Sequence, residues 1–539
     1  MSMRKIACLP AKLRIFGGLT KINGDDLALK HKKLLEKFLF YKKSTYLCAQ
    51  LYMKKTLLFL YFVLVVTSLR AENVYNVLDF GAIGNGETDD AAALQQAIDK
   101  CSSDGGGRVL LPRGHVFLSG PVELKSDVEL HIESTATLLC NPDEDIYRLS
   151  AFGENRGEGM MWLWAKDARN LSITGRGTIH GNGIKFMGIE LSDSYELKPL
   201  TTEKDSSPST SHSSLFDPRP HVLTLIGCEN VLIRDVTIRE GAYWTVHLVG
   251  CNVALIDGIN LLNNLKIRNG DGIDLDHSKN VRISNCHITS GDDCICLKNR
   301  REWEQYGKCH DIVVTNCTMQ SRSCAIKIGS ENMDAIYNVL IDNCIITGSN
   351  RGIGIQNRDE GIVTDVTFSN IMMDLQLWSD VWWGKAEPIY VTSYPRADGN
   401  HKDANWRFPK GETQGRCGEV SRIYFNNIQA TSENGCFIGG DTPDKVNDIY
   451  LNNVVLNLRR STTYSNGTYD KRPCKGEGFV KGNVYGVYIE QAQGVSIEGL
   501  TVNNFLSNFE GKVKYPDKTA NPVHRLKNFI NKTASTLNQ

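Results

Sequence analysis

The 539-residue chain has no net charge, because 61 Lys and Arg are matched by 61 Asp and Glu. That balance excludes the basic footprint of a nucleic-acid binder and of a polybasic membrane-surface protein. Paired Cys-x-x-Cys spacing is missing, which removes the usual zinc frameworks. The 16 Cys are too sparse in so long a chain for a disulfide scaffold. Several recur at equivalent points of a repeat, as free thiols stacked in a core would. The one strongly apolar run is too short for a comfortable membrane span. The 3.6-residue period of a helical solenoid is absent from the middle of the chain. What is present is 41% hydrophobic and 23% charged residues, enough for a sizeable core and unlike a disordered chain.

Met53-Lys54-Lys55, an apolar run and the small residue Ala71 make a secretory signal peptide at residues 53–71. Residues 1–52 are Lys-rich without a core pattern, and are expected to be a non-native gene-model extension or a disordered segment. Residues 73–80 read as a strand. Thr88-Asp89-Asp90 then offers helix-capping chemistry. Leu94, Ala97, Ile98 and Cys101 follow on one helical face. This helix is expected to cap the first coil of a solenoid.

The middle is a repeat. Asn230-Val-Leu-Ile-Arg-Asp-Val-Thr-Ile238 and Asn280-Val-Arg-Ile-Ser-Asn-Cys-His-Ile288 are two copies. Starts at Asn230, Val253, Asn280, Asp311, Asn338 and Asp365 are 23, 27, 31, 27 and 27 residues apart. Period-2 alternation at that spacing, with Asn and Gly in the turns, predicts an all-β fold, a parallel β-helix, over residues 73–505. A tail without a strand pattern, 506–539, follows.

Each coil holds a second strand. Ile273, Ile295, Ile326 and Ile353 form one inward column, and Leu275, Leu297, Ile328 and Ile355 another. Asp274, Cys296, Lys327 and Gly354 point outward together, as do Asp276, Lys298, Gly329 and Gln356. Neighbouring strands lie about 4.8 Å apart. Asp271 and Asp293 are therefore expected side by side on adjacent rungs, with Asp292 next to them, although Asp292 is 21 residues after Asp271. Crowded carboxylates push at least one pKa upward, and a protonated acid beside ionised ones is the equipment for glycosidic cleavage. Spacing alone leaves three readings open: hydrolysis, a calcium site, and a turn ladder without chemistry.

Asn269-Gly-Asp271-Gly-Ile-Asp274 and Gly291-Asp292-Asp293-Cys294 resemble the two aspartate motifs of the polygalacturonase family, glycoside hydrolase family 28. Asp79-Phe-Gly-Ala-Ile-Gly-Asn-Gly-Glu-Thr-Asp-Asp90 resembles the family's opening, and Ala242-Tyr-Trp-Thr-Val-His247 and Ile328-Gly-Ser330 resemble further positions. The likeness spans residues 73–505. It implies a right-handed parallel β-helix that cleaves pectin chains with inversion and without metal or cofactor. It also implies Asp292 as the general acid, with Asp271 and Asp293 positioning and activating water. An inverting pair is expected to stand roughly 6.5–9.5 Å apart.

Three departures bear on the substrate. The family's Gly-His-Gly is Ser323-Cys324-Ala325 here, its Arg-Ile-Lys is Gly354-Ile355-Gln356, and its Asn-Thr-Asp is Asn269-Gly270-Asp271. The catalytic carboxylates are kept while the cations that hold a galacturonate carboxylate are not. Lys327, helped by Lys298, is expected to take over that contact from a neighbouring rung. Asn269, Arg351 and Gln356 are further substrate-binding candidates. Two insertions, at residues 185–220 and 378–416, are expected to shape the cleft. The second carries Trp382 and Trp383 for stacking on sugar, with Lys385 and Glu387 as flanking polar groups. The expected partner is a pectic polysaccharide or oligosaccharide, handled outside the cytoplasm by a monomer. A rhamnogalacturonan or modified uronide, a calcium-dependent lyase on a similar fold and a glycan binder without activity are the alternatives.

Overall fold

A computed structural model describes residues 24–68, 73–152, 158–200, 217–396 and 415–515. The chain divides into two compact units, residues 1–72 and 73–539. In the first, helix α1 (Gly24–Ser68) runs through residues 52 and 53, the boundary drawn from the sequence, and its described side chains are exposed. Residues 1–23 and 69–72, including the end of the expected signal peptide, lie outside the described residues. So do the Ser-rich stretch 206–214, Trp406 and the last residues, 516–539. Among the described residues, no helix is long and apolar enough to cross a membrane.

The second unit is a coil of parallel strands. One twelve-stranded sheet carries the aspartates. Its strands, in chain order, are β1 (Val122–Glu123), β2 (Glu158–Lys166), β3 (Asp217–Ile226), β4 (Val246–Val249), β5 (Ile273–Asp276) and β6 (Ile295–Asn299). There follow β7 (Cys324–Asn332), β8 (Arg351–Asn357), β9 (Ile389–Ser393), β10 (Cys436–Gly440), β11 (Val484–Glu490) and β12 (Phe509–Lys514). A 22-stranded parallel sheet forms the other faces of the coil. Helix α2 (Ala91–Ser103) precedes the first rungs and buries Ala93, Leu94, Ala97, Ile98 and Cys101, the face read from the sequence. Asp89 accepts the Ala91 amide at 2.8 Å, while Asp90 accepts the Ile83 and Gly84 amides instead of capping the helix.

The rungs stack as their alternation requires. Ile273, Ile295, Ile326 and Ile353 are in register and fully buried, as are Leu275, Leu297, Ile328 and Ile355. Each such side chain contributes about 1.5–3 kcal/mol by leaving water. The corners are built from Asn and Asp, which tolerate the left-handed backbone that other residues avoid. Asn280, Asp311, Asn338 and Asp365 have φ of 55, 58, 52 and 54°. Their amides ladder between coils, as Asn280 does with Asn252 at 2.8 Å. Cys286, Cys317 and Cys344, each following an Asn of this kind, are buried free thiols.

The coil continues past Phe505, where the sequence reading ended it. Strand β12 pairs with β11, and Phe509 and Val513 lie against the core. Gly511 and the two lysines of this strand hide its apolar alternation in the sequence.

Candidate active site

Short turns deliver the aspartates to one place. Asp271 lies just before β5 and Asp292-Asp293 just before β6, and these strands pair directly. One oxygen from each of Asp271, Asp292 and Asp293 lies within 4.8 Å of the other two. The expected convergence is therefore present. The expected acid–base gap of about 6.5–9.5 Å is not, because adjacent rungs and adjacent residues set a closer approach. Ser290 and Ser321 both donate to the Asp292 carbonyl at 2.5 Å, fixing the turn.

The three differ in exposure and in what holds them. Asp271 and Asp293 are 2% and 1% exposed, whereas Asp292 is half-buried and meets the cavity. Burial, and then Asp293, pushes the Asp292 pKa up to about 6 against the pull of Lys327, Lys298 and Ser323. Burial, then Asp274 and Asp292, pushes Asp271 well above the usual carboxylate range. Burial also pushes Asp274 up to about 7, although Lys298 opposes it. Asp271 Oδ1 and Asp293 Oδ1 are buried and accept no hydrogen bond from the protein. The arrangement can present one protonated acid to a leaving oxygen and two free acceptors to a water.

The trio opens into a cavity of about 580 Å³. Every site residue expected from the sequence lines it: Asn269, Lys298, Lys327, Arg351, Gln356, Trp382 and Trp383 surround the three aspartates. Several are engaged differently from expectation. Lys327 donates to Asp293 Oδ2 at 2.7 Å, so its charge is already spent on the aspartate cluster. Lys298 lies 3.3 Å from Asp274, 3.9 Å from Glu331 and 4.2 Å above the Trp244 ring. It is also out of the column assigned to it. Leu297 pairs with Ile328, but Asn299 pairs with Asn332, so two extra residues bulge from β7 and no residue of β7 pairs with Lys298. The bulge re-aims the chain and brings Glu331 to Lys298.

Arg351 is bound bidentately by Glu387 at 3.0 and 3.2 Å, and its guanidinium lies 3.7 Å from the Tyr390 ring centroid. Gln356 donates to the Arg472 carbonyl. Lys385 and Glu387 build the Trp loop instead of facing sugar. The Lys385 ammonium donates to the carbonyls of Asp380 and Trp382, and Glu387 accepts the Lys385 amide. Trp383 is 43% exposed at the cavity, whereas Trp382 is half-buried with Arg322 5.2 Å from its ring centroid.

The sequence reading missed other lining groups. Trp244 and Arg300 come from segments flanking the trio, Ser330 and Glu331 from the β7 bulge, and Arg396, Arg472 and Pro473 from later insertions. Trp244 sat in a segment already singled out, but nothing in the alternation could locate the insertions. Arg268, next to Asn269, carried a signal in its position alone.

A sequence profile described as "Glycosyl hydrolases family 28" matches residues 101–376, just over half of the chain. A "Probable polygalacturonase" of Vitis vinifera is 28% identical over 332 residues, which are 58% of this chain and 63% of that protein. The chain thus spans less than two thirds of the length of this relative. An "Endo-polygalacturonase" of Pectobacterium carotovorum subsp. carotovorum is 25% identical over 391 residues, 70% of this chain and 87% of that one. The hyperthermoactive exopolygalacturonase from Thermotoga maritima superposes with a TM-score of 0.59 at 22% identity, covering 80% of this chain and 92% of that chain. That likeness is one of fold, a right-handed parallel β-helix. Together with the profile match and the converging aspartates, it means that the chain belongs to glycoside hydrolase family 28, the polygalacturonase family.

Proposed function

We propose that this protein is a glycoside hydrolase that cleaves α-linked, galacturonate-containing pectic polysaccharide or oligosaccharide. The observation that carries the reading is the unequal trio: a half-buried Asp292 with its pKa pushed up to about 6, beside two buried carboxylates with unpartnered oxygens. Asp292 gives its proton to the leaving glycosidic oxygen. Water held by Asp271 Oδ1 and Asp293 Oδ1 attacks the anomeric carbon and passes a proton to that pair. Family membership supports inversion, while the close approach of the carboxylates alone would suit retention. Proton NMR of fresh product decides, and a retained anomer would reject the water-activating roles.

The test of the reading is product analysis on a panel of pectic fractions. New reducing ends, without an ultraviolet-absorbing unsaturated product, are expected. A second reading rests on the same trio, whose oxygens are close enough to hold a cation: a calcium-dependent lyase. It predicts the unsaturated product and loss of activity in chelator. Release of nothing from any fraction would leave a glycan binder. Action outside the cytoplasm as a monomer belongs to this proposal too. N-terminal sequencing and size exclusion of the secreted protein test it.

A further inference from the structure

A uronide carries a carboxylate, and a cleft that takes it partly out of water must supply a positive partner. The cavity is rich in cations, yet nearly all are committed. Lys327 is paired with Asp293, Lys298 with Asp274, Arg300 with Glu302, Arg351 with Glu387, Arg396 with Asp359 and Arg472 with Asp470, at 2.7, 3.3, 2.7, 3.0, 2.9 and 2.8 Å. Drawing any of these to a ligand would leave a buried or half-buried carboxylate alone, which is costly.

Arg268 is different. It lines the same cavity, its side chain is exposed, and among the described residues it makes no ion pair. Glu196 feels its charge but is not paired with it. Its place in the chain puts it three residues before Asp271. Its backbone, in contrast, is held firmly. The fully buried Arg219, clamped by Asp217 at 2.8 and 2.7 Å, donates to the Arg268 carbonyl at 2.8 Å. Ile267, the preceding residue, is completely buried, and Asn263 donates to the Gly270 carbonyl at 3.2 Å. A fixed backbone bearing a free guanidinium costs little to organise around a ligand, and the guanidinium fork suits a carboxylate bidentately.

We propose that Arg268 is the specificity-determining cation of this enzyme, reading the carboxylate of a uronide residue bound next to the catalytic trio in place of the cations missing at Gly354 and Gln356. The inference rests on the hydrolase reading for its substrate, but its test is one of binding and does not need turnover. The Asp292→Asn protein, with and without Arg268→Gln, is titrated calorimetrically with an unesterified galacturonate trisaccharide and with its methyl ester. Loss of a charge-assisted bidentate contact is expected to weaken binding of the acid by about 10- to 100-fold. The methyl ester is expected to bind both proteins within about twofold, and Arg268→Lys to recover part of the loss on the acid. Because Arg268 is exposed, the variant should melt with its parent. Equal weakening of acid and ester, no weakening of the acid, or no binding of the acid to the parent would each overturn the proposal. Absence of hydrolysis by wild-type protein would instead overturn the functional reading, whatever the titration shows.

Discussion

Asp292 is the member of the trio that meets the cavity, and its chemistry is set by where it stands. A general acid must carry its proton, so turnover is expected to fall as pH rises through about 6. The three carboxylates titrate together, so the acidic limb of the profile belongs to the set and to no single residue. The same shift links to stability. Unfolded, the group returns to its model value of 3.8, so between about 4 and 6 the folded state holds the extra proton and stability declines as pH rises across that window. Asp292→Asn removes that ionisation. It is expected to lower turnover by about 10²- to 10⁴-fold while raising the melting temperature near neutral pH. The gain should vanish below about pH 4. Calorimetry at both ends of the range, beside a kinetic assay, checks it. Full turnover in the variant would remove Asp292 from the mechanism.

At the scale of the element, β7 and β8 show why the family's cationic pair cannot simply be written back. A Cβ on Gly354 would lie 2.9 Å from Cys324 Sγ and 3.0 Å from Arg351 Cδ. Arg351 cannot step aside easily, because Glu387 holds it. Gly354→Arg is therefore expected to lower the melting temperature and to gain no affinity for galacturonate. A stable variant with tighter binding would contradict this packing. Glu387 itself ties β8 to the Trp382-Trp383 loop through Arg351 and the Lys385 amide. Glu387→Gln leaves Arg351 buried without its countercharge, and denaturant titration should show a loss of about 3–5 kcal/mol. The Michaelis constant should rise as well, since the loop carrying the exposed Trp383 loses its anchor.

At the scale of the whole molecule, the cavity is bounded on the C-terminal side of the catalytic rungs. Residues 470–473 come from an insertion after the Val446–Leu458 strand, yet they reach back over β8 and β9. Gln356 and Arg358 donate to the carbonyls of Arg472 and Lys471, and the Tyr390 hydroxyl donates to that of Asp470. The Gly384 amide donates to the Asp470 carboxylate, which joins the two insertions. A groove stopped in this way accepts a chain end more readily than a chain interior. Digestion of unesterified polygalacturonate is expected to release a monosaccharide or disaccharide from the first minutes, with viscosity falling slowly. Early mixed oligosaccharides with a rapid viscosity drop would show that the polymer passes through.

How far the sequence reached follows from how local each determinant is. The stacked Ile and Leu columns, the Asn corners, the capping helix and the meeting of Asp271 with Asp292 and Asp293 depend only on period-2 alternation and a constant coil length, and both are written along the chain. One strand spacing then converts 21 residues of sequence into adjacency. Where the coil length changes locally, the argument fails. Two bulged residues in β7 removed Lys298 from its column, and the Gly511 strand hid its place in the sheet. Charge pairing was equally out of reach. That Lys327 serves Asp293, that Arg351 serves Glu387 and that Arg268 is left free depends on segments up to hundreds of residues apart meeting in one cavity. The sequence by itself determined the coil and its aspartates, because a repeat specifies its own neighbours. Only the tertiary structure decided which cations remain for a substrate, because insertions carry no register and their partners are set by where the folded chain closes over the cleft.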